Sequence, residues 1–517
     1  MADESTSLYE NDTFEVVERP LGARVLGHKW VFRVKTDLKG IITRYKSRYT
    51  ALGNRQREDI DYDETFAPVV RNSSLKSLLA LSAASDFPVH QMDVDTAFLY
   101  GYMPPEPTLY MDLPPGYPVP EHLHGKSDLV GLVKKGIYGL KQSPRLWNAT
   151  VNDFMIGRGF SRFETDKCVY KRGAGNTLLF VAIYVDDLII SGATLDIIEE
   201  FKLQLSQRFK MKDLGPIKHC LGMEINQDLE KGTIEINQSG YVETILRRFG
   251  MMDAKTATTP MESELHLSKD KFEFSTVTYF DYPAAIGSLL YLAGCTRPDI
   301  AFAVNRLSRY LNAHGKQHHE AAKRVMRYLK KNPANGLTYR RKQEIWLTGY
   351  SDADWASDRE TRRSVSGFIF DLGDSPISWN SKLQTTVANS STEAEYLAMG
   401  AACKEAQYLE RLLTEFGIRI EYHKIATKDL LDEETNTCLK LFGDNMGAIA
   451  MTESANLNHK TTKWIEVRHH QIRDLVASGS LIVSYLNTED MPADIMTKAL
   501  PFGPLIKHRD FMMTSAR

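Results

Sequence analysis

The sequence is poor in several features that usually narrow a function quickly. It has five cysteines, Cys168, Cys220, Cys295, Cys403 and Cys438, scattered and without a Cys-x-x-Cys pair. That argues against a disulfide framework or a cysteine zinc site, and fits a reducing intracellular compartment. No apolar run approaches the roughly 18 residues that a membrane span needs; the longest, near Leu178–Val185, is a strand's length. The opening residues, MADESTSLYEND, are acidic and lack an apolar core, so no secretory signal is expected. Internal repeats and low-complexity tracts are missing as well. Nor is there a basic excess: 64 Lys and Arg against 66 Asp and Glu leave a formal net charge of −2. Taken alone, that balance disfavours nucleic acid as a partner.

The average conceals local structure. Lys29, Arg33, Lys35, Lys39, Arg44, Lys46 and Arg48 face a single Asp37 in the same stretch, and Lys323, Arg324, Arg327, Lys330 and Lys331 form a second cluster. A protein that holds metals with carboxylates and phosphates with cations is neutral overall, so net charge does not decide.

Periodicity organises the chain. Residues 1–25 show little pattern and read as a truncated lead-in. His28–Val34 and Ile41–Thr50 read as a hairpin, Ser74–Ala84 as a helix, and Val89–Phe98 as a strand running into a helix start. Leu178–Ile183 and Leu188–Ile190 flank Tyr184-Val185-Asp186-Asp187, a buried hairpin with carboxylates at its tip. Strands near Cys220–Ile225 and Thr233–Asn237 precede a mostly helical stretch over 241–335. The turn-rich Asn332–Gly336 then marks a break. Beyond it, strands near Leu347–Ser351, Ser364–Phe370 and Ile377–Ser381, a helix over Thr392–Phe416 stopped by Gly417, and further strands predict a mixed α/β domain over 345–500. Residues 501–517 read as a tail.

Two constellations carry chemistry. Adjacent aspartates at a tip between apolar strands repel each other, and a divalent cation is the natural occupant. Asp93, in Gln91-Met92-Asp93-Val94-Asp95, adds a third carboxylate, so that Asp93, Asp186 and Asp187 suit a pair of Mg²⁺ ions used for phosphoryl transfer. With period two along a strand, Asp95 shares the face of Asp93 and stays a rival. The second set is Asp352, Glu395, Asp444 and Asp494. Ser390-x-x-Glu393 matches a capping box, which gives Glu393 a structural task and leaves Glu395 as the catalytic choice. Asp354 is the rival of Asp352.

The motifs then become specific. YVDD (184–187) resembles the catalytic box of reverse transcriptases, and QMDVDTAFLYG (91–101) the preceding metal-binding box. RYKSRYTALG, IDYDETFAPVVR, LYMDLPPGY, IYGLKQSPRLW, MKDLG, LGMEI and TRPDIAFAVNRLS follow in the order of the Copia-type retrotransposon polyproteins. YSDADWA (350–356), SSTEAEYLA (390–398), LFGDN (441–445) and MPADI (491–495) resemble the acidic segments of ribonuclease H.

The resemblance implies an α+β and α/β multidomain protein. A right-hand polymerase, with fingers and palm over 26–240 and thumb or connection over 241–335, would precede a ribonuclease H-like domain. It implies an RNA-directed DNA polymerase with hybrid-cleaving activity, using two Mg²⁺ per site with Mn²⁺ as a substitute. The partners it implies are an RNA template, a DNA primer strand, an RNA–DNA hybrid and dNTPs, with no membrane. Nucleotide contacts fall on Lys46, Arg48, Phe98, Gln142 and Tyr184, with Phe98 set against the ribose 2′-hydroxyl and Gln142 the most exposed of its segment. Leu221, Gly222 and Met223 match the primer grip, and Lys212 and His470 are accessory candidates for proton transfer. Capsid, protease and integrase are expected on other segments. The implied location is intracellular, in cytoplasmic virus-like particles with nuclear presence possible. A second reading is a decayed or host-adopted copy that binds nucleic acid without catalysis. An unrelated two-metal nuclease would leave YVDD and Phe98 unexplained.

Overall fold

The computed structural model describes residues 1–36, 42–269, 280–342, 345–373, 375–417, 439–453 and 471–513. It is a mixed α/β, multidomain protein with several sheets. The chain forms two compact units: Met1–Val70, His90–Ile190 and Thr194–Gly215 make the first, and Arg71–Val89, Ser191–Ala193 and Pro216–Arg517 make the second.

The first unit is centred on a sheet ordered Met211–Pro216, Val89–Val94, Asp187–Gly192, Leu179–Tyr184, Val169–Arg172, Ser161–Arg162. Its central strands are apolar on both sides of the carboxylate tip, and two helices cover them. Ser143–Gly157 tolerates Pro144 in its first turn, where a missing N–H costs nothing. Leu195–Arg208 begins on Thr194, whose hydroxyl accepts the Ile197 N–H. Trp147, Val151, Met155, Ile198, Phe201 and Leu205 from these helices bury against Met92, Val181, Ile183, Leu188 and Ile190. The hairpin His28–Thr36 and Ile42–Ala51 forms its own two-stranded sheet.

Residues 1–25 are not the unpatterned lead-in expected. Ala2–Glu10 is a helix, and Phe14–Glu18 pairs antiparallel with Leu129–Val133. Leu8, Phe14 and Val16 bury with Tyr49 and Tyr117. The apolar residues here are few and separated by acids; distant partners, rather than a local period, order the segment.

In the second unit, one sheet runs His219–Cys220, Met223–Asp228, Thr233–Asn237, Leu337–Arg340. Leu337–Arg340 follows directly on the turn Asn332–Gly336 and pairs antiparallel with Thr233–Asn237. Strand pairing thus runs across the expected break, and the compact units part at Gly215/Pro216 and around Arg71–Val89 instead. The expected tail from 501 includes a helix, Phe502–Met512, with Leu505 and Met512 buried. Cys220–Ile225, expected as one strand, is a tight hairpin: Leu221 and Gly222 both have positive φ (49° and 66°), the conformation a two-residue hairpin loop requires.

A five-stranded sheet completes this unit, ordered Ser375–Leu383, Val365–Leu372, Leu347–Asp354, Leu439–Gly443, Leu481–Tyr485. The first three strands are antiparallel; the last two run parallel to Leu347–Asp354. The helix Ser391–Phe416 packs on the central strands through Leu397, Ala402, Leu409, Leu412 and Phe416. Each buried Leu or Phe side chain stabilises by about 1.5–3 kcal/mol. Gly417, at φ 84°, ends the helix in the left-handed conformation.

Candidate active sites

The first site sits where Val89–Val94 meets the hairpin of Leu179–Tyr184 and Asp187–Gly192. Only Val185 and Asp186 close that hairpin, and Val185 adopts φ 56°, which is strained for a β-branched residue. The Trp147 indole Nε1 donates to the Val185 carbonyl at 2.5 Å, and the Val94 N–H donates to the Asp186 carbonyl at 2.8 Å. These bonds fix the tip against the neighbouring strand. Strain held at one point by surrounding structure is a recurrent mark of functional sites.

The three carboxylates sense one another. Burial raises the Asp93 carboxyl above its ordinary range, Asp186 and Asp95 add to this, and Lys46 and Lys212 pull it back. Burial also raises Asp187, against the Gln91 amide that donates to its Oδ1 at 2.9 Å, with Asp186 and Asp93 adding repulsion. The strand ends at Val94, so Asp95 lies in the turn beyond it, exposed, with its N–H on the Lys210 carbonyl. Asp93 is thus half-buried on the strand beside the pair, whereas Asp95 is exposed beyond its end.

Around this trio the structure gathers several of the anticipated residues. The Arg48 guanidinium lies 4.4 Å from the Tyr138 ring centroid, and the Phe98 ring meets Tyr138 edge-on at 4.9 Å. Tyr138 is the linking residue that the sequence did not single out; Arg48 and Asp186 both act on its hydroxyl. The close approach depends on Gly139, at φ 93°, where a Cβ would sit 2.2 Å from the Ala51 carbonyl. Phe98 is half-buried and packs on the main core. Lys212 is exposed, and Tyr184 is half-buried. Gln142 departs from expectation. It is only 7% exposed, its Oε1 accepts from Gln56 Nε2 at 3.0 Å, and its Nε2 donates to the Asp61 carbonyl at 3.2 Å. A buried amide needs these partners, so Gln142 is occupied within the fold.

The second site is tighter. Asp352 lies near the end of the central strand, and Asp444 follows the parallel neighbour; the register Tyr350↔Phe442 sets the two acids level. Asp494 sits in the turn Pro492–Met496, which approaches the sheet because Gly367, paired with Asp352, has no side chain there. A Cβ on Gly367 would fall 2.5 Å from the Met496 Cβ. Carboxylate oxygens of Asp352, Asp444 and Asp494 lie within 4.8 Å of one another. Among the described residues they are the one acid group this compact, and the Asp93 trio is more open.

Glu395 enters from the helix. Ser390 Oγ accepts the Glu393 N–H at 3.2 Å, while the Glu393 carboxylate takes the Asn389 N–H at 2.8 Å. Glu393 thus caps, one residue further back than a standard box, and Glu395 is left facing the sheet. It is 5% exposed, and its Oε2 is buried with no hydrogen-bond partner. Burial, then Asp352 and Asp444, push its carboxyl up to about 10. Burial likewise brings Asp352 to about 6 and raises Asp494. Among the described residues one cation answers them: Lys498 donates to Asp494 at 2.8 Å and to Asp352 at 3.4 Å. Thr497 also donates to Asp352, and Thr488 to Asp444 at 2.7 Å. Lys498 and Thr497 were not anticipated; a lysine four residues after Asp494 was the available signal. Asp354 is half-buried on the same strand face and does not join the compact trio.

Four acids, an orphaned buried oxygen and Lys498 are a charge set that fits divalent cations. Hard carboxylate oxygens without sulfur or imidazole suit Mg²⁺ or Mn²⁺.

Residues 11–263 match the family model described as "Reverse transcriptase (RNA-dependent DNA polymerase)". A Pol polyprotein from transposon TNT 1-94 of Nicotiana tabacum is 39% identical over 507 residues, 97% of this chain and 36% of that polyprotein. One from transposon RE1 of Arabidopsis thaliana is 34% identical over 504 residues, covering 97% and 32%. A transposon Ty5-1 protein of Saccharomyces cerevisiae is 35% identical over 318 residues, 61% of this chain and all of that protein. The chain belongs to the Copia-type retrotransposon polyproteins. It spans about a third of the length of the tobacco and Arabidopsis relatives. Within this Copia-type chain, the primer-grip candidates Leu221, Gly222 and Met223 occupy the hairpin tip, where the Tyr291 hydroxyl donates to the Leu221 carbonyl. His470 lies outside the described residues.

Proposed function

We propose that the chain is an RNA-directed DNA polymerase joined to a ribonuclease H that cleaves the RNA strand of RNA–DNA hybrids. The observation that carries the polymerase reading is the Val185–Asp186 hairpin tip beside Asp93, inside the span that matches the reverse transcriptase family. The hybrid-cleaving reading is supported by the 3-2-1-4-5 mixed sheet with Asp352, Asp444, Asp494 and Glu395 at one end. In this account residues 26–240 supply fingers and palm, and 241–335 supply thumb and connection.

Asp93, Asp186 and Asp187 would hold the cations of the first site, and Asp352, Glu395, Asp444 and Asp494 those of the second. When bound, these ions supply Lewis acidity: a lower pKa for the attacking oxygen and charge neutralisation at the leaving one. The chain's own residues do the rest. Lys46 and Arg48 bind the triphosphate of the incoming nucleotide, with Arg48 aimed by the Tyr138 ring. Phe98 packs where a ribose 2′-hydroxyl would otherwise fit, which selects dNTPs. Lys212, exposed and near enough to lower the proton affinity of Asp93, protonates the departing pyrophosphate. Lys498 holds Asp352 and Asp494 in place without consuming the free oxygen of Glu395.

Primer extension on an RNA template with dNTPs and Mg²⁺ tests the proposal. The unaltered chain extends the primer; Asp186→Asn loses at least about a hundredfold of that rate, since one ligand to the reacting centre is gone. Undiminished extension by Asp186→Asn would remove the polymerase assignment.

A further inference from the structure

The second unit carries an open cavity of about 340 Å³ of which the chemistry above uses only Lys498. Arg306 and Arg309 line it from the helix Ala301–Ser308 and the residue after it, and Arg359 and Arg362 from the loop between Leu347–Asp354 and Val365–Leu372. Lys498 lines it too, and the acids in the lining with these five cations are Asp354 and Asp358.

Asp358 is already committed. Its Oδ1 accepts from the N–H and hydroxyl of Thr361 at 2.9 and 3.0 Å, and its Oδ2 pairs with Arg309 at 3.2 Å. Among the described residues this is the one ion pair made by the four arginines. Arg306 donates to the Leu265 carbonyl at 2.8 Å and to the Met261 sulfur. The Nε of Arg309 is buried with no acceptor. Burial lowers the proton affinity of Arg306 and Arg309, so positive charge is kept here at a desolvation cost that no carboxylate fully offsets. Planar guanidiniums with unused donors are suited to phosphate oxygens. The volume falls in the range of nucleotide-sized sites, about 300–1,000 Å³.

One residue ties the cavity to the acids: Lys498 lines it and also donates to Asp352 and Asp494. We propose that the cavity binds a backbone phosphate of the nucleic-acid strand whose neighbouring phosphodiester lies at Asp352, Glu395, Asp444 and Asp494. This rests on the hybrid-cleaving reading. The same chemistry would accept a free polyphosphate, and the two sources are separable.

The test uses the full chain carrying Arg359→Gln and Arg362→Gln, both on an exposed loop, with Arg359→Lys and Arg362→Lys as the charge-retaining control. Hybrid binding is measured across a salt series in an Asp444→Asn background, so that no cleavage intervenes. The glutamine pair is expected to bind at least about tenfold more weakly, and the slope of log K against log salt should shrink by about 0.9 for each phosphate that is no longer neutralised. The lysine pair should keep the slope. In parallel, inorganic tripolyphosphate binding is followed by calorimetry. An unchanged hybrid slope with tripolyphosphate binding abolished in the glutamine pair would overturn the strand assignment in favour of a free anion. No change in either would overturn the phosphate site altogether. If the unaltered chain bound hybrid without cleaving it, the cleavage reading would fail while the salt slopes still decided the cavity.

Discussion

Replacing Glu395 by glutamine should stabilise the metal-free protein while destroying its second activity, and the pH dependence of that gain can be worked out. Glu395 is 5% exposed, and its carboxyl is pushed from the ordinary 4.5 up to about 10 by burial and by Asp352 and Asp444. Below pH 4.5 the folded and unfolded chains both hold the proton, and the residue contributes nothing that varies with pH. Above 4.5 the unfolded chain alone releases it, so stability falls by about 1.4 kcal/mol per pH unit until the folded pKa is passed. At neutral pH the accumulated loss is on the order of 3 kcal/mol. Glutamine has the same shape and does not titrate, so Glu395→Gln should melt higher than the parent in EDTA at pH 7, by roughly 5 °C. Near pH 4.5 the difference should vanish. Saturating Mg²⁺ should reverse the ranking, because a ligand that binds only the folded state stabilises the parent, and the variant has lost a ligand. Calorimetric melts across pH, with and without Mg²⁺, measure all three. A variant less stable than the parent in EDTA at pH 7, or a gain independent of pH, would refute the reasoning.

Other consequences are simpler to state. Arg297 and Asp299 form a fully buried pair at 2.7 Å, with the Tyr328 hydroxyl on Asp299; Arg297→Met leaves that buried carboxylate without a counter-charge and should cost about 3–5 kcal/mol in urea titrations. Gln142→Leu strands the amides and carbonyl that Gln142 now satisfies, so it should lose about 1–3 kcal/mol of stability and leave the KM for dNTPs unchanged in steady-state extension. Phe98→Ala should raise ribonucleotide insertion relative to deoxynucleotide insertion by about tenfold or more in single-nucleotide extension, the scale expected when one packed side chain is removed.

What was legible in the sequence was what is encoded locally. The apolar runs on either side of Tyr184–Asp187 specify a buried hairpin by themselves, and Ser390 with Glu393 marks the helix start within a residue. Motif identity did the rest for the seven acids, since many other carboxylates have similar spacing. Several of the missed features depend on partners far along the chain. Phe14 pairs opposite Val133, and neither segment alone reveals it. Leu337–Arg340 pairs with Thr233–Asn237, far earlier in the chain, and no local pattern near Asn332–Gly336 reveals that pairing. Motif position alone puts Gln142 on the nucleotide side, yet its amide is buried and bonded to Gln56 and Asp61. The choice between Asp93 and Asp95 turned on where a strand ends, and sequence patterns place element ends least well.

The central claim is that one chain carries two independent acid-centred activities. The most direct test assays RNA-templated extension and cleavage of a labelled RNA–DNA hybrid side by side, in Asp186→Asn and Asp444→Asn prepared identically. The account predicts a crossed result: Asp186→Asn cleaves hybrid and does not extend, whereas Asp444→Asn extends and does not cleave. Loss of both activities in either variant with its fold intact, or survival of the targeted one, would contradict it.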